Sequence, residues 1–153
     1  MIYLVDSNVY VHAFRDPGFG ERLRQFHQQH LATLVLSAVV AHELAVGALT
    51  PSKERTLLRN LVEPFRVRQR LHVPARQTWE LAARLDRRLR RRAALTSRLR
   101  SRSFGNDLLI AASARELGAM ILTENSKDFA AISTVIDIGY IEPWPDDRIH
   151  SSH

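Results

Sequence analysis

No cysteine occurs among the 153 residues. That excludes a disulfide framework, a thiolate metal site and a cysteine nucleophile. No apolar run approaches the roughly 20 residues that a membrane-crossing helix needs. Asp6 and Asn8 interrupt the apolar N-terminal stretch too early for a signal peptide. These absences predict a soluble, cytoplasmic protein with no membrane association. Neither a GxGxxG nor a Walker A string is present, so nucleotide-cofactor chemistry has no support. Lysine is also scarce: Lys53 and Lys127 are the only two among 22 basic residues.

What is present is an ordinary globular composition with an uneven charge. Hydrophobic residues make up 45% and charged residues 25%, which excludes a wholly disordered chain. The length suits one domain, expected over residues 1–142, with a loose tail over 143–153 that carries two further prolines and paired aspartates. The net charge is +6, yet the stretch from Arg84 to Arg102 holds nine arginines and the single acid Asp86, leaving the remainder mildly acidic. A basic stripe of this kind points to a polyanionic partner, above all nucleic acid. A solvated helix face is the plainer account of the same charges.

Short apolar runs alternate with helical patterns. Residues 2–6, 33–37, 119–123 and 134–138 read as buried strands, and 65–73 is ambiguous between strand and extended connection. Helices are expected over 21–30, from Ser37 as N-cap to about 49, over 52–62, and from Pro74 to about 92 with Trp79, Ala82, Ala83, Leu85 and Leu89 inside. Residues 94–105 read as a loop or a frayed helix end. A nearly all-apolar helix over 107–117 follows, with Ser103 and Asn106 as candidate caps and Gly118 as its stop. This order predicts an α/β fold, an α/β/α sandwich around a central parallel sheet of four to five strands.

Ligands of open α/β sheets bind beyond the carboxyl ends of the strands. The first strand ends in Asp6-Ser7-Asn8, and the strand AMILT ends in Thr123-Glu124-Asn125, with Asp128 one turn later. Glu43 lies in a helix whose neighbouring turns carry Val39, Val46 and Gly47, so its carboxylate faces a cleft. Asp107 opens the most buried helix, where the helix dipole favours its ionised form. Singly, each acid has a plain role as a cap or a surface charge. Together, three carboxylates on apolar elements need a counter-charge, which an internal arginine or a hard divalent cation supplies. His42-Glu43 does not continue into HExxH, because Val46 stands where a second histidine would fall. Asn8 lacks the acid/base ability of the second aspartate in aspartate-nucleophile phosphatases. Response-regulator receivers would need a lysine where AMILT is followed by Glu124.

The strings LVDSNV, HEL, FGNDLLIAASA and ILTENSKDF, in this order and spacing, resemble PIN-domain ribonucleases, and among them the VapC-type toxins of VapBC toxin–antitoxin pairs. The resemblance runs from Met1 to the TVIDI segment. It implies an acidic pocket of Asp6, Glu43 and Asp107, with Asn125 at a position where other members carry Asp or Asn. Asp128 would complete the pocket or serve a second ion, and Ser7, Asn8 and Thr123 would orient it. The resemblance further implies a magnesium- or manganese-dependent endoribonuclease acting on structured RNA such as tRNA or rRNA. Asp6 and Asp107 would hold the metal. Partners would be RNA, a cognate VapB-type antitoxin and a second copy in a homodimer. Arg87, Arg88, Arg90, Arg91, Arg92 and Arg98 would grip phosphates or acidic residues of the antitoxin. The rival expectation is a non-catalytic RNA- or protein-binding module on the same fold.

Overall fold

The structure is a computed structural model that describes residues 1–92 and 101–144. Five short strands, β1 (Ile2–Val5), β2 (Leu34–Ser37), β3 (Leu71–His72), β4 (Ala119–Leu122) and β5 (Gly139–Ile141), form one parallel sheet in the order β3-β2-β1-β4-β5. Helices α1 (Ser7–Arg15), α2 (Pro17–Gln29), α3 (Ala38–Gly47), α4 (Pro51–Leu57), α5 (Glu63–Val67), α6 (Arg76–Arg90), α7 (Arg102–Leu117) and α8 (Ser126–Ser133) make the connections. This is the expected α/β/α sandwich with a central parallel sheet. Among the described residues, no helix is long and apolar enough to cross a membrane.

The centre of the sheet is the most apolar part of the chain. Leu4 and Val5 of β1 pair with Ile121 and Leu122 of β4, and all four are fully or nearly fully buried. Ile110, Ala111 and Ala112 of α7 are also completely buried. Truncating a side chain such as Ile110 to Ala there costs about 2–5 kcal/mol. Strand β1 lies between β2 and β4, so the chain leaves it on one side and later returns on the other. That change of direction opens a crevice at the carboxyl ends of β1 and β4.

Local signals explain most helix ends. Asp6 caps α1 through Ser7 N–H, Asp16 caps α2 through Phe19 N–H, and Ser37 caps α3 through Val39 N–H. Pro17 and Pro51 stand in the first turns of α2 and α4, where no amide is needed. Gly118 ends α7 at φ 63°, a left-handed position suited to glycine. At Gly20 a Cβ would come within 2.8 Å of the Ala13 carbonyl oxygen, so glycine lets α2 pack closely on α1.

Several expectations are corrected. Ser7 and Asn8, expected at the end of the first strand, begin helix α1. The helix expected over 52–62 runs through a π-helical turn at Leu58–Val62 and on into α5, so most of the ambiguous segment 65–73 is helix and turn. On α6 the buried stripe is Thr78, Ala82, Leu85 and Leu89, and Trp79 is 56% exposed. The four-residue and three-residue steps from Leu89 back to Thr78 set the phase, and Trp79 lies one residue off it. The last strand is Gly139–Ile141, not 134–138, because Gly139 is the residue that pairs beside Met120. Helix α7 starts at Arg102 with Ser101 as its cap, accepting from Phe104 N–H, in place of Ser103 or Asn106. Asp107 therefore sits in its second turn. Of the predicted loose tail, Pro143 is buried and the Trp144 ring packs against Phe19 and Phe26. Residues 145–153 lie outside the described residues, as does Arg98.

Candidate active site

The crevice at the ends of β1 and β4 gathers side chains from five segments. Asp6 is 2% exposed. Its Oδ1 accepts from Ser7 N–H at 2.7 Å, and its Oδ2 accepts from the Thr123 hydroxyl at 2.8 Å and the Asn8 amide at 3.1 Å. Asn8 Nδ2 is also 3.3 Å from Thr123 Oγ1, while Asn8 Oδ1 accepts from Glu124 N–H at 3.2 Å. Asn125 N–H in turn donates to Thr123 Oγ1 at 2.9 Å. The ends of β1 and β4 are thus stitched together around one carboxylate.

Asp107, 5% exposed on α7, meets this network through Asn125. The Asn125 amide donates to Asp107 Oδ2 at 3.1 Å and to Asp128 Oδ2 at 2.9 Å, bridging two acids from different helices. Glu43 enters from α3. Its Oε1 is buried without a hydrogen-bond partner. Asn106, expected as a cap of α7, is instead a neighbour that favours the charged form of Glu43, as does Ser7.

The acids feel one another. Burial pushes Asp107 up to about 9, with the charges of Asp6, Asp128 and Glu43 adding to the rise and Asn125 opposing it. Burial raises Glu43 as well, and the Asp6 charge raises it further. Asp6 is raised by burial, against hydrogen bonds from Thr123, Ser7 and Asn8. A carboxyl held at about 9 is protonated at neutral pH unless a cation joins it. Burial first, and neighbouring charge second, disfavour the ionised pocket, and a bound cation would offset both.

Among the described residues, no three His, Asp or Glu side chains converge as a ready-made metal cage. Magnesium does not require one, because it is commonly held by one or two carboxylates with water completing its shell. The donor set here is all oxygen, it contains an unpartnered buried carboxylate oxygen at Glu43, and Asp107 lacks only a counter-charge. These residues fit a hard divalent cation.

A cavity of about 870 Å³ adjoins the site between α1, α2, α3 and α4. Tyr10, Phe14, Leu23, Leu44, Leu57 and Leu61 give it an apolar lining, Arg15 and Lys53 add positive charge, and Glu43 is shared with the acidic pocket. His27, also in the lining, faces the Tyr10 hydroxyl at 3.2 Å, and burial lowers it to about 4.

Of the predicted site residues, the structure brings together Asp6, Ser7, Asn8, Thr123, Asn125, Asp107 and Asp128, with Glu43 adjoining. The predicted arginines belong to another element, α6 and the two residues after it, except Arg98, which lies outside the described residues. Arg87, Arg88 and Arg91 are exposed at or just beyond the C-terminal end of α6, Arg90 is held by Asp86 at 2.8 Å, and Arg92 donates to Thr134 Oγ1 at 2.9 Å. The pairing of His12 with Glu124, at 2.6 Å, was not anticipated. His12 follows Asn8 by one helical turn, a spacing visible only once α1 is known to be a helix.

Comparison with known proteins agrees with this geometry. The PIN domain model matches residues 3–134. Nothing among curated proteins matches. Solved structures share the fold: VapBC-1 from nontypeable Haemophilus influenzae has TM-score 0.61 and 23% identity, covering 93% of this chain and 98% of that one. DNA-bound VapBC from Salmonella typhimurium has TM-score 0.65 and 20% identity, covering 93% and 98%. FitAcB from Neisseria gonorrhoeae has TM-score 0.63 and 21% identity, covering 94% and 99%. With the family model spanning most of its length and the acidic crevice at the sheet's switch point, the chain belongs to the PIN domain family.

Proposed function

We propose that this PIN domain is a magnesium- or manganese-dependent endoribonuclease of VapC type, acting on structured RNA such as tRNA or rRNA. The observation that carries the reading is the convergence of buried carboxylates at the ends of β1 and β4: Asp6 and Asp107 are 2% and 5% exposed, Asn125 joins Asp107 to Asp128, and Glu43 Oε1 is buried without a hydrogen-bond partner. A divalent ion bound there would lower the pKa of a coordinated water and neutralise charge on the phosphoryl group under attack.

Each residue then has a task. Asp6 and Asp107 would hold the ion directly. Glu43, with its unpartnered Oε1, would orient the attacking water. Asn125 and Asp128 would bind waters of the ion. Ser7, Asn8 and Thr123 fix the Asp6 carboxylate by their hydrogen bonds. Arg87, Arg88, Arg90, Arg91, Arg92 and Arg98 contact phosphates, positioning RNA without reading its sequence.

A cognate VapB-type antitoxin is the expected partner, since the similar structures include VapBC and FitAcB. The apolar cavity beside Glu43 suits an amphipathic segment of such a partner, with a cation reaching the acids. Homodimerisation through apolar residues of the early helices belongs to the same reading, and Phe14, Val46 and Leu49 are exposed there. The alternative of a non-catalytic binding module is favoured by one observation: a neutral amide, Asn125, stands between Asp107 and Asp128 in place of a further carboxylate.

The test is incubation of total RNA with purified, antitoxin-free protein in chelator, Mg²⁺ or Mn²⁺, with Asp6→Asn as control. Cuts that need metal and vanish in the variant are expected. No cuts with either metal from folded protein would favour the binding module.

A further inference from the structure

We propose that His12 is a positioning residue, which holds Glu124 and thereby keeps the Thr123–Asn125 segment in the register that the acidic pocket requires. His12 Nδ1 lies 2.6 Å from Glu124 Oε1. A carboxylate only accepts, so the ring hydrogen sits on Nδ1. The other ring nitrogen is 3.8 Å from Asp16 Oδ2. The ring itself stacks on Phe19, with centroids 3.8 Å apart and planes 11° from parallel. Asp16 accepts from Phe19 N–H at 3.1 Å as the cap of α2, so the ring's surroundings are themselves fixed.

Asn8 and His12 stand one turn apart on α1 and grip the same residue at two points. Asn8 Oδ1 takes the Glu124 N–H, and His12 takes the Glu124 side chain. The next residue is Asn125, which makes the N-cap of α8 but has no side-chain hydrogen bond to that helix's backbone. Its amide is committed to Asp107 and Asp128 instead. The approach to α8 is thus held at Glu124 as well as at Asn125, whose bonds run to Thr123, Asp107 and Asp128. The effect of His12 on the pocket is carried through Glu124 and Asn125.

The inference rests on the nuclease reading of the pocket, and its test separates the two. His12→Phe keeps an aromatic ring on Phe19 but removes the donor. His12→Asn restores a donor near the place of Nδ1. Backbone amide exchange at Glu124 and Asn125 is followed by NMR in wild type and both variants, beside RNA cleavage with Mn²⁺. The expected result is about tenfold faster exchange at both amides in His12→Phe, near wild-type exchange in His12→Asn, and an unchanged unfolding midpoint. Cleavage by His12→Phe loses about tenfold or more in kcat with KM within about twofold, and His12→Asn recovers most of it. Exchange and kcat both equal to wild type in His12→Phe would overturn the proposal. Wild-type protein that cleaves no RNA would remove the nuclease reading, and the exchange result would still decide whether His12 holds the segment.

Discussion

The Asn125 side-chain amide donates to Asp107 across the gap between β4 and α7, at 3.1 Å. The same nitrogen donates to Asp128, so one neutral amide bridges two acids from different helices. Asn125→Asp removes that donor and adds a further carboxylate. Stability of the metal-free protein should fall by about 1–3 kcal/mol, and saturating Mn²⁺ should return most of it. Denaturant unfolding with and without Mn²⁺ measures both effects. A variant as stable as wild type in chelator would contradict the bridging role.

Asp107 carries the reverse prediction. Its folded value of about 9 lies above the ordinary 3.8, so the folded state binds the extra proton between those values. Its contribution to stability is complete below about pH 4 and is lost as pH rises through about 9. Asp107→Asn removes this loss. In chelator at pH 8 the variant should be more stable than wild type by about 0.5–2 kcal/mol, the usual range for relieving a strained functional site. RNA cleavage should nonetheless be abolished.

His27 sets the acid side of the stability profile. Its folded value of about 4 lies below the ordinary 6.5, because burial disfavours the imidazolium. The unfolded chain binds the proton first, so stability is complete above about pH 6.5 and is lost as pH falls through about 4. The loss should approach about 3 kcal/mol at the lower end. His27→Gln should flatten that limb, read from unfolding midpoints between pH 4 and 7.

The arginines at the end of α6 should act through charge. Replacing Arg87, Arg88 and Arg91 with alanine should weaken RNA binding across sequences and lower the salt slope by about two. A slope equal to wild type would assign these arginines to another surface.

The outcome at individual residues shows which physical signals the linear chain carries. Asp6, Glu43 and Asp107 were legible because each interrupts an apolar element, and burying a carboxylate there needs a reason. The strands β1, β2 and β4 were legible as apolar runs of strand length. Helix α1 was not, because Val9, Tyr10 and Val11 are residue types favoured in strands, and Asp6 serves both as strand end and as helix cap. The start of α7 was misplaced because Ser101 and Ser103 are equal candidates by residue type, and tertiary packing of the buried Phe104 decides between them. The Asp6–Thr123 and Asn125–Asp107 hydrogen bonds join segments far apart in the chain, and no local pattern encodes them.

Calorimetric titration of chelator-stripped protein with Mn²⁺ at pH 7, in two buffers of different ionisation heat, tests most directly whether the acidic pocket is a cation site. The account predicts binding by wild type with net proton release, because Asp107 must lose its proton to hold the ion, and weakened binding with no such release by Asp107→Asn. Absence of binding heat in wild type, or equal affinity and equal proton release in the variant, would contradict it.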